Sequence, residues 1–279
     1  MKKYLLFAFL IITFYARSVG NFPIGARAIS LGNASAAISD HWATFNNIAG
    51  IASNEKTSIG AFYERRFNTA GLNIVALAIV QPVIYGNVAL GIYRFGDDLY
   101  NETRASLGYG HKIRGISLGI QAEYYQISIQ ELGTKRNIVI NFGGIAQITK
   151  HLSFGAHIYN ITQSKLADYK DERLPTIMKI GASLKPFDKL MINAEVEKDI
   201  EQKVRYKIGL EYAFIENFKA RTGINIQPQV AFFGVGYGNT QLGMDYALTW
   251  NERLGFSHSI NLNYFFGSRK KAVIPTEKI

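Results

Sequence analysis

Residues 203–214, KVRYKIGLEYAF, alternate between apolar side chains and charged or small ones. The even positions carry Val204, Tyr206, Ile208, Leu210, Tyr212 and Phe214, and the odd positions include Lys203, Arg205, Lys207 and Glu211. Successive side chains of a β-strand point to opposite faces. This stretch therefore predicts a strand with one apolar face and one charged face.

The same alternation extends along the chain and predicts fourteen strands. Their approximate bounds are 57–65, 70–81, 86–95, 101–112, 115–128, 136–149, 151–159, 175–185, 188–198, 203–214, 217–225, 229–238, 240–250 and 255–266. Most are as long as the roughly 9–11 residues that a tilted membrane-crossing strand needs. The chain is therefore predicted to be all-β. A soluble β-sandwich alternates in the same way, with its apolar faces turned inward.

Two features of the strands favour a transmembrane antiparallel β-barrel over the sandwich. Aromatic residues gather near strand ends, where the interfacial girdles of membrane barrels lie; they are Tyr93, Tyr109, Tyr124, Tyr159, Tyr212, Phe214, Trp250, Tyr264 and Phe266. Short connections also alternate with longer ones at residues 95–100, 129–135 and 160–174. Short periplasmic turns opposite longer external loops give that rhythm.

The N-terminus supplies a third feature, a route of export. Lys2 and Lys3 precede an apolar run over residues 4–16, and Ser18 and Gly20 form a small-x-small cleavage site. Residues 1–20 are therefore predicted to be a signal peptide, with an uncleaved anchor as the alternative. No later stretch reaches the roughly 18 uninterrupted apolar residues of a spanning helix, so any further crossing must use strands.

Composition excludes other classes of function. The chain has no Cys, so it forms no disulfide, thiolate metal site or lipid-anchored N-terminal cysteine. Its net charge is +10 over 279 residues, and the signal peptide supplies three of those positive charges. The remaining basic residues are spread along many strands instead of being clustered on one surface, so no nucleic-acid partner is expected.

Residues 25–50, GARAISLGNASAAISDHWATFNNIAG, lie between the signal peptide and the first strand. The stretch is rich in Gly, Ala and Ser and does not alternate. Such a segment could fold compactly inside a ring of strands as a plug. The alternative is an ordinary N-terminal helix and loop on a soluble β-domain.

Three blocks of this stretch carry a family resemblance. Gly25-Ala26-Arg27-Ala28, Leu31-Gly32-Asn33-Ala34 and Asn47-Ile48-Ala49-Gly50 resemble the N-terminal signature of the PorV/PorQ family of outer-membrane barrels, which are related to FadL-type fatty-acid channels. The family usually has proline where Ile48 stands, and its loss is expected to loosen the tight turn there. The plug motif is Gly25, Arg27, Gly32, Asn47, Ala49 and Gly50.

The predicted organisation is a signal peptide (1–20), a plug (21–56), a barrel of about 14 strands (57–267) and a basic periplasmic tail (268–279). Mixed-sign side chains are predicted to face the lumen and to pair across strands: Arg104, Glu123, Lys179, Glu195, Arg205, Lys207, Glu211 and Arg221. The longest external loop offers a candidate partner site at Lys165, Asp168, Lys170, Asp171, Glu172 and Arg173.

No catalytic or cofactor-binding constellation emerges. The five His show no metal-ligand spacing, and the Gly-rich stretches lack the strand-to-helix context of a phosphate loop. The chain is therefore expected to be no enzyme and to hold no metal or cofactor. Its expected location is the outer membrane, in contact with lipid.

The resemblance implies a binding or shuttle role in type IX protein secretion or an associated surface machinery. The partner would be another outer-membrane barrel or a secreted cargo protein. One alternative is a FadL-like transporter of hydrophobic small molecules, which needs an apolar cavity and a gate at the plug. A second alternative is a structural barrel subunit of an outer-membrane assembly.

Overall fold

The computed structural model describes residues 22–167 and 172–268. The predicted signal peptide and residues 269–279 of the predicted tail lie outside them. Sixteen strands occur in the described part of the chain: β1 (Lys56–Arg65), β2 (Asn73–Val83), β3 (Gly86–Gly96), β4 (Tyr100–Ile113), β5 (Ile116–Ile129), β6 (Gly133–Gln147), β7 (Leu152–Tyr159), β8 (Lys165–Ala167), β9 (Glu172–Arg173), β10 (Ile177–Phe187), β11 (Leu190–Asp199), β12 (Arg205–Ile215), β13 (Phe218–Ile226), β14 (Gln229–Gly238), β15 (Leu242–Asn251) and β16 (Gly255–Ser268).

Fourteen of these strands form one closed antiparallel barrel. Each strand pairs with its neighbour in the chain, β7 pairs with β10, and β16 closes the ring on β1. Strands β8 and β9 form a separate two-stranded sheet within the connection from β7 to β10. The predicted all-β barrel is confirmed, and its fourteen strands match the predicted ones to within a few residues.

The two ends of the barrel differ. β1 begins and β16 ends at one of them, which we call the terminal end, and the turns there are short. The other, which we call the loop end, carries the longer connections, among them the one that contains β8 and β9.

Side chains alternate between the two faces of the wall. In β12, Tyr206, Ile208, Leu210 and Tyr212 are exposed on the outer face, and Lys207 and Glu211 are buried on the inner one. An outward apolar band with an inward polar face is the arrangement of a membrane barrel. The predicted aromatic girdle is wrong at two positions, because Tyr93 and Tyr159 are buried inside the lumen.

Residues 22–55, which we call the luminal segment, lie inside the barrel. They contain helix α1 (Ala26–Ser30), helix α2 (Ala43–Asn46) and a 3₁₀ helix (Ile48–Ser53). The elements touch β3–β6 on one side of the lumen and β13–β16 on the other. Helices this short are not stable by themselves, so contacts with the wall must hold the segment together.

Small residues of the wall allow the segment to approach it closely. A Cβ at Gly119 of β5 would lie 2.7 Å from Ala49 N, and one at Gly209 of β12 would lie 2.7 Å from the Leu31 carbonyl carbon. Inward glycines in contact with the segment recur on ten barrel strands: Gly60, Gly91, Gly108, Gly110, Gly119, Gly143, Gly155, Gly181, Gly209, Gly223 and Gly234. This glycine belt fits the wall to the segment's backbone.

Strand β2 is apolar on its inward face as well as on its outward face, because the inward face packs against the luminal segment. Its inward residues Ile74, Ala76 and Ala78 pack in one core with Trp42 and Phe45 of the luminal segment. Val80 packs with Ile48 and Ile51. Burying each large apolar side chain contributes roughly 1.5–3 kcal/mol, so this side of the segment is held mainly by hydrophobic contact.

Within the described ranges, helices are all too short or too polar to cross a membrane.

Candidate functional site

A cavity of about 470 Å³ lies between the luminal segment and the loop end. Its apolar lining consists of Phe22, Pro23, Ile29, Phe67, Leu72, Tyr93, Phe95, Pro228, Val230, Phe232 and Leu254. Its polar lining consists of Asn33, Glu64, Arg66, Glu102, Glu197, Arg205, Lys207, Asn225, Thr249, Asn251 and Ser257. Pockets for small molecules typically measure about 300–1,000 Å³ and are mostly apolar with a few polar groups.

The walls of this cavity continue the hydrophobic core that covers the segment. Ile29 of α1, Tyr93 of β3, and Val230 and Phe232 of β14 belong to one buried cluster, and Phe95 packs against it. These side chains come from strands on opposite sides of β1 and from the segment below. The cavity is therefore apolar on its floor and on two walls.

Arg66 joins the luminal segment to the wall at the edge of the cavity. Its guanidinium carbon lies 3.8 Å from the centre of the Phe22 ring and 5.8 Å from that of Phe95. Its Nε donates to Glu64 Oε1 at 3.2 Å. A guanidinium over an aromatic face contributes about 0.5–2 kcal/mol, so Phe22 is held lightly in place.

The charged groups of the lining are balanced and paired. Three are cations (Arg66, Arg205 and Lys207) and three are anions (Glu64, Glu102 and Glu197). Glu197 accepts from Arg205 at 3.1 Å and from Lys207 at 2.6 Å. Glu102 pairs with Arg104 at 3.1 Å. The pairs leave the cavity electrically balanced.

Ion pairs between side chains anchor the floor of the cavity on the β11–β13 side. Arg27 donates to both carboxylate oxygens of Glu211 at 2.9 Å, and its Nη1 lies 3.4 Å from Asp40. Arg221 donates to Glu211 at 2.6 Å and to Asp245 at 2.7 Å. Bidentate pairs of this kind combine strength with a fixed geometry.

Hydrogen bonds to the segment's backbone complete this anchor. Glu195 accepts from the backbone N–H groups of Ser35 at 2.8 Å and Ala36 at 2.7 Å. Ala26 N–H donates to Asn261 at 2.7 Å, and the Trp42 indole N–H donates to Asn263 at 3.0 Å. The inner faces of the later strands therefore supply acceptors for N–H groups at the start of α1, outside the helices at Ser35 and Ala36, and on the Trp42 side chain.

The residues of the plug motif all lie in the luminal segment. Gly25 and Gly32 have φ values of 100° and 67°, a region that favours glycine. A Cβ at Gly50 would lie 2.7 Å from that of Ala43. The motif thus marks positions where the segment turns or packs tightly.

The turn at Ile48 is closed by hydrogen bonds to Asn47, and its expected loosening without proline stays a prediction. Asn47 accepts from Ala49 N–H through its side chain at 3.2 Å, and its carbonyl accepts from Gly50 N–H at 2.8 Å. Ile48 is buried and fills the space that Gly108 leaves on β4. At this position the Asn47 side chain caps the turn and the packed Ile48 side chain stands where the family has a proline ring.

The eight predicted lumen residues all lie on the inner face of the wall. Seven are buried, and Arg205 is half-buried at the loop end. Arg104 stands apart from the anchor among three tyrosines, with ring centres 4.7 Å (Tyr93), 4.9 Å (Tyr125) and 6.0 Å (Tyr159) from its guanidinium carbon. Tyr159 donates to Glu123 at 2.8 Å. This cluster fills the lumen beside the cavity.

The candidate partner loop is described only in part. Lys165 lies in β8, and Glu172 and Arg173 lie in β9, whereas Asp168, Lys170 and Asp171 fall outside the described residues. The base of the loop is pinned by Asn160, whose side chain donates to the Leu174 carbonyl at 2.9 Å. The loop's predicted binding role stays a prediction.

The cavity itself was not foreseen from the sequence. Its aromatic walls include Tyr93, whose place near a strand end predicts the membrane interface, and Phe95, at the start of a predicted loop. The alternation along β3 places Tyr93 on the inward face, and this pattern is the signal by which the sequence could reveal its position. In the part of the chain that the structure describes, acidic residues and histidines form no group of three that could hold a metal ion.

Comparison of the structure with solved structures gives the fold. The chain is similar to the CymD monoaromatic hydrocarbon channel, with a TM-score of 0.69 and 12% identity over 90% of this chain and 100% of that one. It is similar to the Ralstonia pickettii toluene transporter TbuX, with a TM-score of 0.69 and 12% identity over 89% and 100%. The protein has the fold of FadL-like outer-membrane barrels.

A more distant likeness agrees with this fold. A Pseudomonas aeruginosa FadL homologue is similar with a TM-score of 0.54 and 14% identity, over 87% of this chain and 97% of that one. No protein-family model matches the sequence, and neither does any curated protein. Two of these solved structures are described as a channel and a transporter, and the predicted PorV/PorQ membership is not shown.

Proposed function

We propose that the protein is an outer-membrane channel for small hydrophobic molecules, with the cavity at the loop end as its entry site. The observation that carries the proposal is the 470 Å³ cavity, whose walls are aromatic and aliphatic and whose charges are paired. The fold supports it, because the CymD monoaromatic hydrocarbon channel and the toluene transporter TbuX have similar barrels.

The expected binding energy of an aromatic solute in this cavity suits a channel, which must release what it binds. An aromatic ring buries about 150–250 Å². At about 25 cal/mol per Å² this is worth roughly 4–6 kcal/mol before the cost of association is subtracted. Because that cost takes away a large part of this energy, the expected affinity is millimolar or weaker. A site of that strength collects a hydrophobic solute from outside and still releases it.

The luminal segment then acts as the plug of this channel. It forms the cavity floor with Phe22, Pro23, Ile29 and Asn33. With the loop end outside the cell, a solute reaches the periplasm only when part of the segment moves or is bypassed. The segment is tied by ion pairs towards β11–β13 and by apolar packing towards β2 and β3.

Filling the cavity tests the proposal. Val230 lines the cavity, so Val230→Trp places an indole in it, whereas Val235→Trp on the outer face of the same strand β14 is the matched control. Binding of toluene to the purified barrel is followed by NMR titration, and uptake of N-phenylnaphthylamine is followed in cells that express it. We expect Val230→Trp to reduce both by roughly tenfold or more, as loss of a filled apolar site requires. Equal behaviour of the two variants would rule out the cavity as the entry site.

The type IX role rests on the three motif blocks of residues 25–50, and the comparisons support the channel better. It remains a prediction, as does a structural role in a larger assembly. Purification in mild detergent separates the readings. Stoichiometric recovery of a second large barrel or an exported cargo protein would favour secretion, and recovery of the barrel alone with bound apolar molecules would favour the channel.

A further inference from the structure

A second cavity, of about 270 Å³, opens at the terminal end, below the luminal segment. Its lining is Arg27, Ala37, Ile38, Ser39, Ser53, Lys112, Gly115, Ser117, Ile145, Gln147, Ser153, Ser183, Lys185 and Met191. It differs from the cavity at the loop end in chemistry, because hydroxyl and cationic side chains dominate here.

Five neighbouring strands place these polar groups together. Lys112 (β4), Ser117 (β5), Gln147 (β6), Ser153 (β7), and Ser183 and Lys185 (β10) occupy inward positions at the rim of the barrel. Cross-strand pairs make the group contiguous: Lys112 lies opposite Ser117, Gln147 opposite Ser153, and Ser153 opposite Ser183. The wall thus presents hydroxyl donors between two lysines.

The charge of this lining is one-sided. It contains three cations and no carboxylate, whereas the cavity at the loop end has three of each. Arg27 is already neutralised by Glu211 and Asp40. The amino groups of Lys112 and Lys185 have no ion-pair partner among residues 22–167 and 172–268, so two positive charges face the cavity uncompensated.

We propose that this cavity is a binding site for a small anion, held through a carboxylate or phosphate group by Lys112, Lys185 and the serine hydroxyls. Hydrogen bonds to an ionised acceptor are the strong ones in proteins. Lipid headgroups are excluded as ligands, because the site lies on the inner face of the wall. The adjacent terminal-end turns add Arg114 and Lys150, whereas the neighbouring Asp188 and Lys189 cancel in formal charge, and the net positive field attracts anions to this mouth.

The test uses the full barrel in detergent and three probes, each titrated by NMR or calorimetry. Inorganic phosphate and benzoate carry the charge, and benzyl alcohol is the neutral counterpart of benzoate. We expect both anions to bind and to compete with each other, and benzyl alcohol to leave bound phosphate in place. Preference for one anion identifies which chemistry the site favours. Failure of both anions to bind overturns the proposal.

Charge removal locates the site. Lys112→Gln and Lys185→Gln are each expected to weaken anion binding roughly tenfold, and the double variant more, since each removes one charge-assisted contact. Lys189→Gln is the matched control, because Lys189 lies near Lys185 in the chain but outside the lining. Equal weakening by Lys189→Gln would reveal unspecific attraction and overturn the proposal. The site is independent of the Val230→Trp result.

Discussion

Arg27 of the luminal segment and Glu211 of strand β12 form a two-pronged ion pair inside the barrel, with both contacts at 2.9 Å. Glu211 also accepts from Arg221, so one carboxylate ties a single-turn helix to the wall and to the next strand. The side of the segment that faces β3–β6 is held instead by apolar contact and by uncharged hydrogen bonds, from Asn87 to the Ile51 carbonyl at 2.6 Å and from Gln121 to the Thr44 carbonyl at 2.7 Å. The two sides therefore differ in how they respond to a change of charge.

Loss of the Glu211 charge should loosen the ionic side. Glu211→Gln leaves Arg27 and Arg221 close together with less compensation, and breaking a buried pair in this way costs about 3–5 kcal/mol. We expect faster hydrogen exchange at the amides of Ile29, Ser35 and Ala36, measured by mass spectrometry. Glu216→Gln, on an exposed turn at the terminal end, is the control and should leave exchange unchanged. Unchanged protection in Glu211→Gln would contradict the anchor.

A methyl group in the glycine belt should push the segment off the wall. In Gly119→Ala the new Cβ would meet Ala49 N and the Ile48 carbonyl carbon at 2.7 Å. Overpacking of this kind costs about 1–3 kcal/mol. Gly144→Ala on the outer face of β6 is the control, because its nearest neighbour is Leu118 Cδ2 at 3.6 Å. The urea midpoint of unfolding should fall for Gly119→Ala alone, and equal midpoints would refute the close fit.

Arg104 should be needed for stability. Arg104→Met leaves Glu102 without its ion pair and removes the cation from the three tyrosine rings, which costs about 3–5 kcal/mol for a buried pair. Arg94→Met on β3 is the control: the contact of Arg94 with Asp98 at 3.9 Å is exposed and is worth about 0–1 kcal/mol. The difference is measured in denaturant unfolding. A loss of stability in Arg104→Met as small as that in Arg94→Met would show that the tyrosine cluster is dispensable.

Period-two alternation made the wall predictable. In β12 the inward and outward sets of side chains are those read from residues 203–214, because a membrane barrel repeats one rule on every strand. The inward parity of Arg104, Lys179 and Glu195 followed from the same rule.

Position near a strand end does not reveal which face of the wall an aromatic side chain occupies. Tyr93 and Tyr159 lie near strand ends, a position that predicts the girdle, yet both face Arg104. An aromatic at a strand end fits either face, and only parity along its own strand decides between them. The double apolar face of β2 was likewise ambiguous, because the residues that cover it, Trp42 and Phe45, are remote in sequence.

The pairing of charges could be expected only in outline. Mixed signs inside the lumen predicted cross-strand pairs, and the Glu195–Lys207 contact at 2.7 Å is one. The bond between Arg27 and Glu211 joins residues far apart in the chain and depends on how the segment lies in the lumen. The small side chains of residues 25–50 indicate that the segment folds compactly, but they do not indicate how it is oriented in the lumen.

The most direct test of the channel is the position of a heavy-atom ligand in the crystallised barrel. Crystals soaked in 4-iodotoluene would show iodine by anomalous scattering. We expect a peak in the loop-end cavity, between Phe95, Val230 and Ile29. Iodine found only on the outer, lipid-facing wall, with the cavity empty at saturating ligand, would contradict it.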